Sequence, residues 1–188
     1  NNNARNNTVY DNNITTKNST SSFGIHLRLN VNNNTLYRNK VTALSIGILI
    51  NGSGQAATAT TSGNTFTNDT IVPCSVGCDA NYQDITLTGN ATDNTFINVS
   101  FNKSRVAFVP RDLAFPVEIK NITVRWFLNV NVTNSTNNNP IANAQVVIND
   151  YFAVNIFEGL TDVTGGIATQ TVTEFTINGS VPFNVNLD

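Results

Sequence analysis

One short phrase recurs along this chain: asparagine, threonine, then an apolar residue. It stands at Asn7-Thr8-Val9, Asn34-Thr35-Leu36, Asn64-Thr65-Phe66 and Asn94-Thr95-Phe96, with spacings of 27, 30 and 30 residues. A period of that size is severe. A segment of about thirty residues cannot enclose its own apolar side chains, so it must shelter them against copies of itself. Two further apolar pieces travel with each anchor. One falls at Ile14, Val41, Ile71 and Phe101. The other is an extended run, beginning at Gly24, Gly47, Asp84 and Ala107, the last reaching Pro110. In the run from Gly24, Ile25, Leu27 and Leu29 alternate with His26 and Arg28, which is the two-residue period of a strand. Helical spacing is sustained nowhere. Each repeat therefore reads as three short strands separated by three corners.

Stacking such repeats puts Val9, Leu36, Phe66 and Phe96 in one interior column. Each fully buried member contributes roughly 1.5–3 kcal/mol. The asparagines belong at the corners, where they tolerate left-handed backbone. Equivalent asparagines in register can also hydrogen-bond to one another, as they do in cross-β stacks. Two segments interrupt the period, 51–63 and 72–83. The first is small and polar and reads as an exposed loop. The second carries both cysteines, Cys74 and Cys78, close enough for a small-loop disulfide in an exported protein. A metal site would need more Cys or His beside them.

Composition narrows the functional classes. Hydrophobic residues make up 40% of the chain and charged residues 12%, with a net charge of −2. That balance leaves no basic footprint for nucleic acid, and no apolar run approaches the roughly 18 residues needed to span a bilayer. The chain has no methionine, and is expected to be a processed or partial product. Asn-x-Ser/Thr sequons begin at Asn6, Asn13, Asn18, Asn33, Asn51, Asn68, Asn90, Asn98, Asn102, Asn121, Asn131, Asn134 and Asn178. All are candidates for N-glycosylation in a secreted protein.

After Pro110 the period is lost. Residues 111–125 read as a closing cap and connector. Cleaner alternation succeeds it: Trp126, Leu128, Val130 and Val132; then Val146 and Ile148; then Phe152, Val154 and Ile156; and finally Val181, Phe183, Val185 and Leu187. Turn signals at Asn139-Pro140 and Gly165-Gly166 separate these runs, the pattern of an antiparallel sandwich over 126–188. Pro182 suits an edge position.

The Gly-Ile-x-Leu and Asn-Thr-apolar phrases of residues 1–110 resemble the right-handed parallel β-helix repeat family, pectin-lyase-like in architecture. The pieces Trp126-x-Leu128-x-Val130-x-Val132, Pro140-Ile141-x-x-Ala144-x-Val146 and Thr161-Asp162-x-x-Gly165 resemble a small immunoglobulin-like module of the carboxypeptidase-regulatory or surface-repeat kind. The expected fold is thus all-β: about four coils of right-handed parallel β-helix, then a small Ig-like β-sandwich. The resemblance implies a large archaeal or bacterial cell-surface protein without a cofactor, whose partners are copies of itself, neighbouring surface domains or glycans.

Pectin-lyase-like folds also include polysaccharide lyases and hydrolases, which line an outer face with clustered carboxylates. Glycoside hydrolysis needs such a pair. The repeats carry Asp11, Asp69, Asp79, Asp84 and Asp93, not at equivalent positions, and no glutamate before Glu118. His26 and Arg28, with Arg38 one repeat on, are the alternative catalytic or sugar-binding pair. Asp69, Asp79 and Asp84 offer oxygen ligands to calcium, without a spaced loop motif. Asp162 near Gly165 is turn chemistry. The balance favours a non-enzymatic structural protein of the cell exterior, with no metal site: a surface layer, stalk, adhesin or filament subunit. The alternatives are a polysaccharide-cleaving enzyme and a carbohydrate-binding module using loops 51–63 and 72–83.

Overall fold

The computed structural model describes residues 3–17, 22–52, 59–109, 118–150 and 153–179. The fold is all-β; among the described residues the one helical piece is a 3-10 turn at Lys103–Arg105. The first repeat supplies β1 (Thr8–Tyr10), β2 (Asn13–Thr15) and β3 (Phe23–Arg28). The second supplies β4 (Thr35–Tyr37), β5 (Lys40–Thr42) and β6 (Ile46–Asn51), and the third β7 (Thr65–Thr67), β8 (Thr70–Val72) and β9 (Gln83–Thr88). β10 (Ala91–Ile97) and β11 (Val106–Val109) belong to the fourth.

Strands one repeat apart pair side by side, and they do so three times over. The sheets run β1-β4-β7-β10, β2-β5-β8 and β3-β6-β9-β11, and these pairings are parallel. Register obeys the sequence phrase. Val9 lies opposite Leu36, Leu36 opposite Phe66 and Phe66 opposite Phe96. Ile14, Val41 and Ile71 form a second row, and Ile25, Ile48, Ile85 and Val106 a third. Leu36, Phe66 and Phe96 are buried, the two phenylalanine rings stacked 4.5 Å apart. Val9 keeps the register but is 40% exposed. Its strand is the edge of the sheet among the described residues, so one side of it has no neighbour.

The corners explain the asparagine content. Asn6, Asn33, Gly63 and Asp93 turn the chain into β1, β4, β7 and the matching part of β10, all at φ between 56° and 67°. Asp11, Arg38, Asn68 and Asn98 turn it out again, at φ between 52° and 55°. Asn and Asp occupy this left-handed region at little cost. Gly63 is needed for a second reason: a Cβ there would come within 2.3 Å of Asn33 Oδ1.

The residue after each first corner points inward and forms a ladder. Asn7 Nδ2 donates to Asn34 Oδ1, Asn34 Nδ2 to Asn64 Oδ1 and Asn64 Nδ2 to Asn94 Oδ1, each at 2.9 Å. The backbone N–H of Asn7, Asn34 and Asn64 donates to the same oxygens. Asn34, Asn64 and Asn94 are buried, so each amide replaces the water their polar backbone would otherwise lose. A second ladder runs from Asn12 through Asn39 to Asp69. It ends on an acid for a reason. Asp69 accepts from Asn39, and the position one repeat on is the buried Val99, which offers no acceptor to an amide N–H.

Beyond the repeats lie β12 (Lys120–Leu128), β13 (Gln145–Asn149), β14 (Asn155–Leu160) and β15 (Gln170–Asn178). β12 and β15 extend the first sheet in the order β10-β12-β15. The chain divides into two compact bodies. One runs to Val124 and resumes at Phe175; the other is Arg125–Glu174. The sequence-based boundaries are 111–125 for the cap and connector and 126–188 for the second module; the compact bodies instead put the described residues 118–124 and 175–179 with the repeats. In the first body Gly179 N–H donates to Lys120 O, and Ile122, Val124 and Ile177 are buried, so these strand ends help to close the repeat core.

The second body holds the antiparallel hairpin β13–β14, with Val146 opposite Gly159 and Ile148 opposite Phe157. Antiparallel bridges join Asn131 to Gly166 and Thr133 to Pro140. Trp126 Nε1 donates to Glu174 Oε2 at 2.6 Å. Among the described residues every buried apolar side chain belongs to the first body. The best-sheltered side chain of the second is Thr161, whose hydroxyl donates to Ile141 O and accepts from Ala144 N–H.

Two smaller expectations also change. Leu29 does not continue the face of Ile25, because it leaves β3 in left-handed backbone. Segment 51–63 is not wholly an exposed loop: Gly52, Ala59 and Thr61 are buried at its ends. Pro110, the 111–117 part of the connector, Phe152 and the run Val181, Pro182, Phe183, Val185 and Leu187 lie outside the described residues.

Candidate functional site

The outer face of β1 and β4 carries the most exposed chemistry of the repeats. Because their register is fixed, Tyr10 and Tyr37 stand opposite one another. Their rings are stacked, with centroids 5.0 Å apart and planes within 4°. Tyr10 is 52% exposed. The Arg38 guanidinium lies 4.6 Å from the Tyr37 ring. It also grips Asp11 with both arms, Nε to Oδ1 at 2.7 Å and Nη2 to Oδ2 at 2.6 Å. That hydrogen bonding holds the Asp11 carboxyl below the usual carboxylate range and raises the Arg38 guanidinium. Each of these charges thus already has a partner. The sequence does contain the signal for this pair: each residue sits two places after a column residue, Val9 or Leu36.

Arg38 therefore belongs with Asp11, not with His26 and Arg28. Those two do share the exposed face of β3. Burial first, and then the charge of Arg28, push the His26 imidazole below its ordinary value. The row beside His26 continues as Leu49, Thr86 and Ala107, so no carboxylate stands in that row to orient a general base.

The acids proposed for calcium are dispersed among separate tasks. Asp69 closes its ladder. Burial raises its carboxyl, partly offset by the hydrogen bonds from Asn39 and the Thr67 backbone. Asp79 accepts from Asn81 N–H, and its own N–H ties the 72–83 segment to Leu44 O. Asp84 is fully buried and accepts from Asn102 N–H. Among the described residues no three His, Cys, Asp or Glu side chains converge as a metal-holding group would require. In the second body, Asp162 Oδ1 accepts from Thr164 N–H, Thr164 Oγ1 and Gly166 N–H, which lowers its carboxyl and makes it the clasp of a turn.

Cys74 and Cys78 are joined in a disulfide across a separation of 4 residues. Their loop carries Val76 at an exposed tip and packs back through Tyr82, whose hydroxyl donates to Val72 O. The Arg105 guanidinium lies 5.1 Å from the Tyr82 ring. Burial, and then the neighbouring Asp84, push the Tyr82 hydroxyl up to about 12. Nothing in the spacing of Tyr82 and Arg105 announces this contact.

The sequons fall into distinct settings. Asn6, Asn33, Asn68 and Asn98 are the exposed left-handed corners. Asn13 opens β2, Asn51 closes β6, Asn90 precedes β10, Asn121 lies within β12 and Asn178 ends β15. Asn102 caps the 3-10 turn, and Asn131 and Asn134 are exposed in the second body. Asn18 lies outside the described residues. Compared with known protein families, curated proteins and solved structures, the chain finds no match.

Proposed function

We propose that this is a non-enzymatic structural protein of the cell exterior, a subunit of a surface layer, stalk, adhesin or filament. In this reading the three parallel sheets are the faces of a right-handed parallel β-helix, and the body after it is an Ig-like module. The observation that carries the reading is how the polar side chains of the repeats are used. Asparagines are spent in buried ladders, Asp69 ends one, Asp84 holds a backbone N–H, and Asp11 and Arg38 hold each other. Side chains committed to holding a stack together suit a spacer. The disulfide and the exposed corner sequons suit an oxidising, extracellular setting. Its partners are further copies of the chain, neighbouring surface domains or glycans.

The test is surface labelling of intact cells, followed by imaging of the native assembly. Labelled protein in a regular array is the expected result. Turnover in lyase and hydrolase assays on acidic and neutral polysaccharides, lost in His26→Ala or Arg28→Ala, overturns it. A second reading, carbohydrate binding, rests on the exposed Tyr10 ring stacked on Tyr37, since an aromatic face at a surface suits a sugar ring. Glycan-array binding lost in Tyr10→Ala favours that reading over the spacer.

A further inference from the structure

The corner sequons are not equivalent to the rest, and their geometry sorts them. In the tripeptides Asn33-Asn34-Thr35 and Asn68-Asp69-Thr70 the three residues have three tasks. The first turns the corner in left-handed backbone and is exposed; the second turns inward to a ladder; the third opens the next strand and is exposed. Only the first asparagine is available from outside, and the hydroxyl that the sequon requires is available beside it. The amide orientation agrees. Asn33 Oδ1 lies over Gly63, and Asn68 Oδ1 accepts from Asn98 Nδ2 at 2.6 Å. The oxygens face the next repeat, and the Nδ2 groups of Asn33 and Asn68 make no hydrogen bond among the described residues.

The contrast is with Asn90 and Asn121. Both are half-buried. Asn90 Oδ1 accepts from Ile119 N–H and Asn121 Oδ1 from Asp93 N–H. A sugar on Nδ2 would leave these oxygens able to accept, so the contrast is one of access: neither asparagine stands at an exposed left-handed corner, and Asn121 lies within β12, which has β10 on one side and β15 on the other.

We propose that Asn33 and Asn68 carry N-linked glycans and that Asn90 and Asn121 stay bare. This rests on the exterior reading above and adds to it the identity of the modified sites. In the reaction, Asn Nδ2 attacks the anomeric carbon of a lipid-phosphate-linked sugar donor. The N–C1 bond forms, the bond from C1 to the phosphate oxygen breaks, the lipid phosphate leaves, and the amide gives up one proton. Asn33 precedes β4 and Asn68 comes after β7, so in a parallel sheet the two glycans stand on opposite edges of the face that bears Tyr10 and Tyr37.

The experiment is glycopeptide mass mapping of the native protein, beside the Thr35→Ala and Thr70→Ala variants. These remove each sequon but keep the corner asparagine. The expected result is sugar mass on the Asn33 and Asn68 peptides, lost one site at a time in the two variants, and unmodified mass on the Asn90 and Asn121 peptides. Sugar elsewhere with Asn33 and Asn68 bare overturns the site assignment and leaves the exterior reading standing. A protein without any sugar overturns the proposal too; surface labelling of intact cells then decides separately whether the exterior reading falls with it.

Discussion

Replacing Asn64 by alanine isolates the ladder. Asn64 Oδ1 accepts from Asn34 N–H at 3.1 Å and Asn34 Nδ2 at 2.9 Å, while its Nδ2 donates to Val31 O and Asn94 Oδ1, both at 2.9 Å. Not all of these are lost outright. Asn34 Nδ2 keeps Asn32 O and Ala4 O, and Asn94 Oδ1 keeps the Asn64 backbone N–H. Two groups lose this partner with no such substitute: the Asn34 N–H and the Val31 carbonyl. Asn34 and Asn64 are buried, so water does not readily take over. At roughly 1–3 kcal/mol for each of the two stranded groups, Asn64→Ala costs about 2–6 kcal/mol. The control is Asn7→Ala in the same ladder. Asn7 is exposed and solvent can replace what it loses, so that change costs under about 1 kcal/mol. Equilibrium urea unfolding of both variants reads the difference as a shift in midpoint. Equal costs would refute the reasoning, because the ladder would then carry no buried hydrogen bonds.

Other parts of the stack give three more expected outcomes. Phe66→Ala, which empties a fully buried site against Phe96, costs about 3–5 kcal/mol in the same assay, whereas Val9→Ala at the exposed end of the column costs under about 1 kcal/mol. In Gly52→Ala the new Cβ would stand 1.8 Å from Asn90 O, a backbone atom that cannot swing away, so the variant loses about 3 kcal/mol or more, read as a fall in melting temperature. Burial raises the Asp69 carboxyl above its ordinary 3.8. The folded protein therefore holds that proton more tightly than the unfolded chain, and Asp69's contribution is fully present below pH 3.8 and lost as pH rises through the raised value. Unfolding across that range should show the stability of the native protein, relative to Asp69→Asn, falling as pH rises; a flat or rising difference contradicts the assignment.

Much of the repeat was legible because its signal is redundant. The anchors give the period, the period gives the register, and the register makes Leu36, Phe66 and Phe96 neighbours. Backbone preference alone places asparagines at corners. What escaped depended on which way side chains turn and on contacts distant in sequence. Asn33 and Asn34 are adjacent and identical in type, yet one turns out and the other in. Arg38 occupies a corner where Asn or Asp stands in the equivalent places; the column spacing sets it level with Asp11, but the choice of Asp11 over His26 and Arg28 as its partner shows only once the repeats lie side by side. Asp84 takes the place held by Gly47 in the previous repeat, and it is buried where a surface ligand was sought. The end of the repeat body was illegible for a related reason. The whole second body separates Ile122 and Val124 from Ile177 in sequence, and alternation alone does not say against what a strand is laid.

The most direct test of the stacked arrangement is a set of proton–proton distances from isotope-labelled protein in solution. Contacts between the Leu36 methyls and the Phe66 ring, and between the Phe66 and Phe96 rings, together with Asn34, Asn64 and Asn94 side-chain amides close in succession, are the predicted result. If Phe66 instead meets only residues near it in sequence, and those amides show no mutual contacts, segments one repeat apart are not neighbours and the account fails.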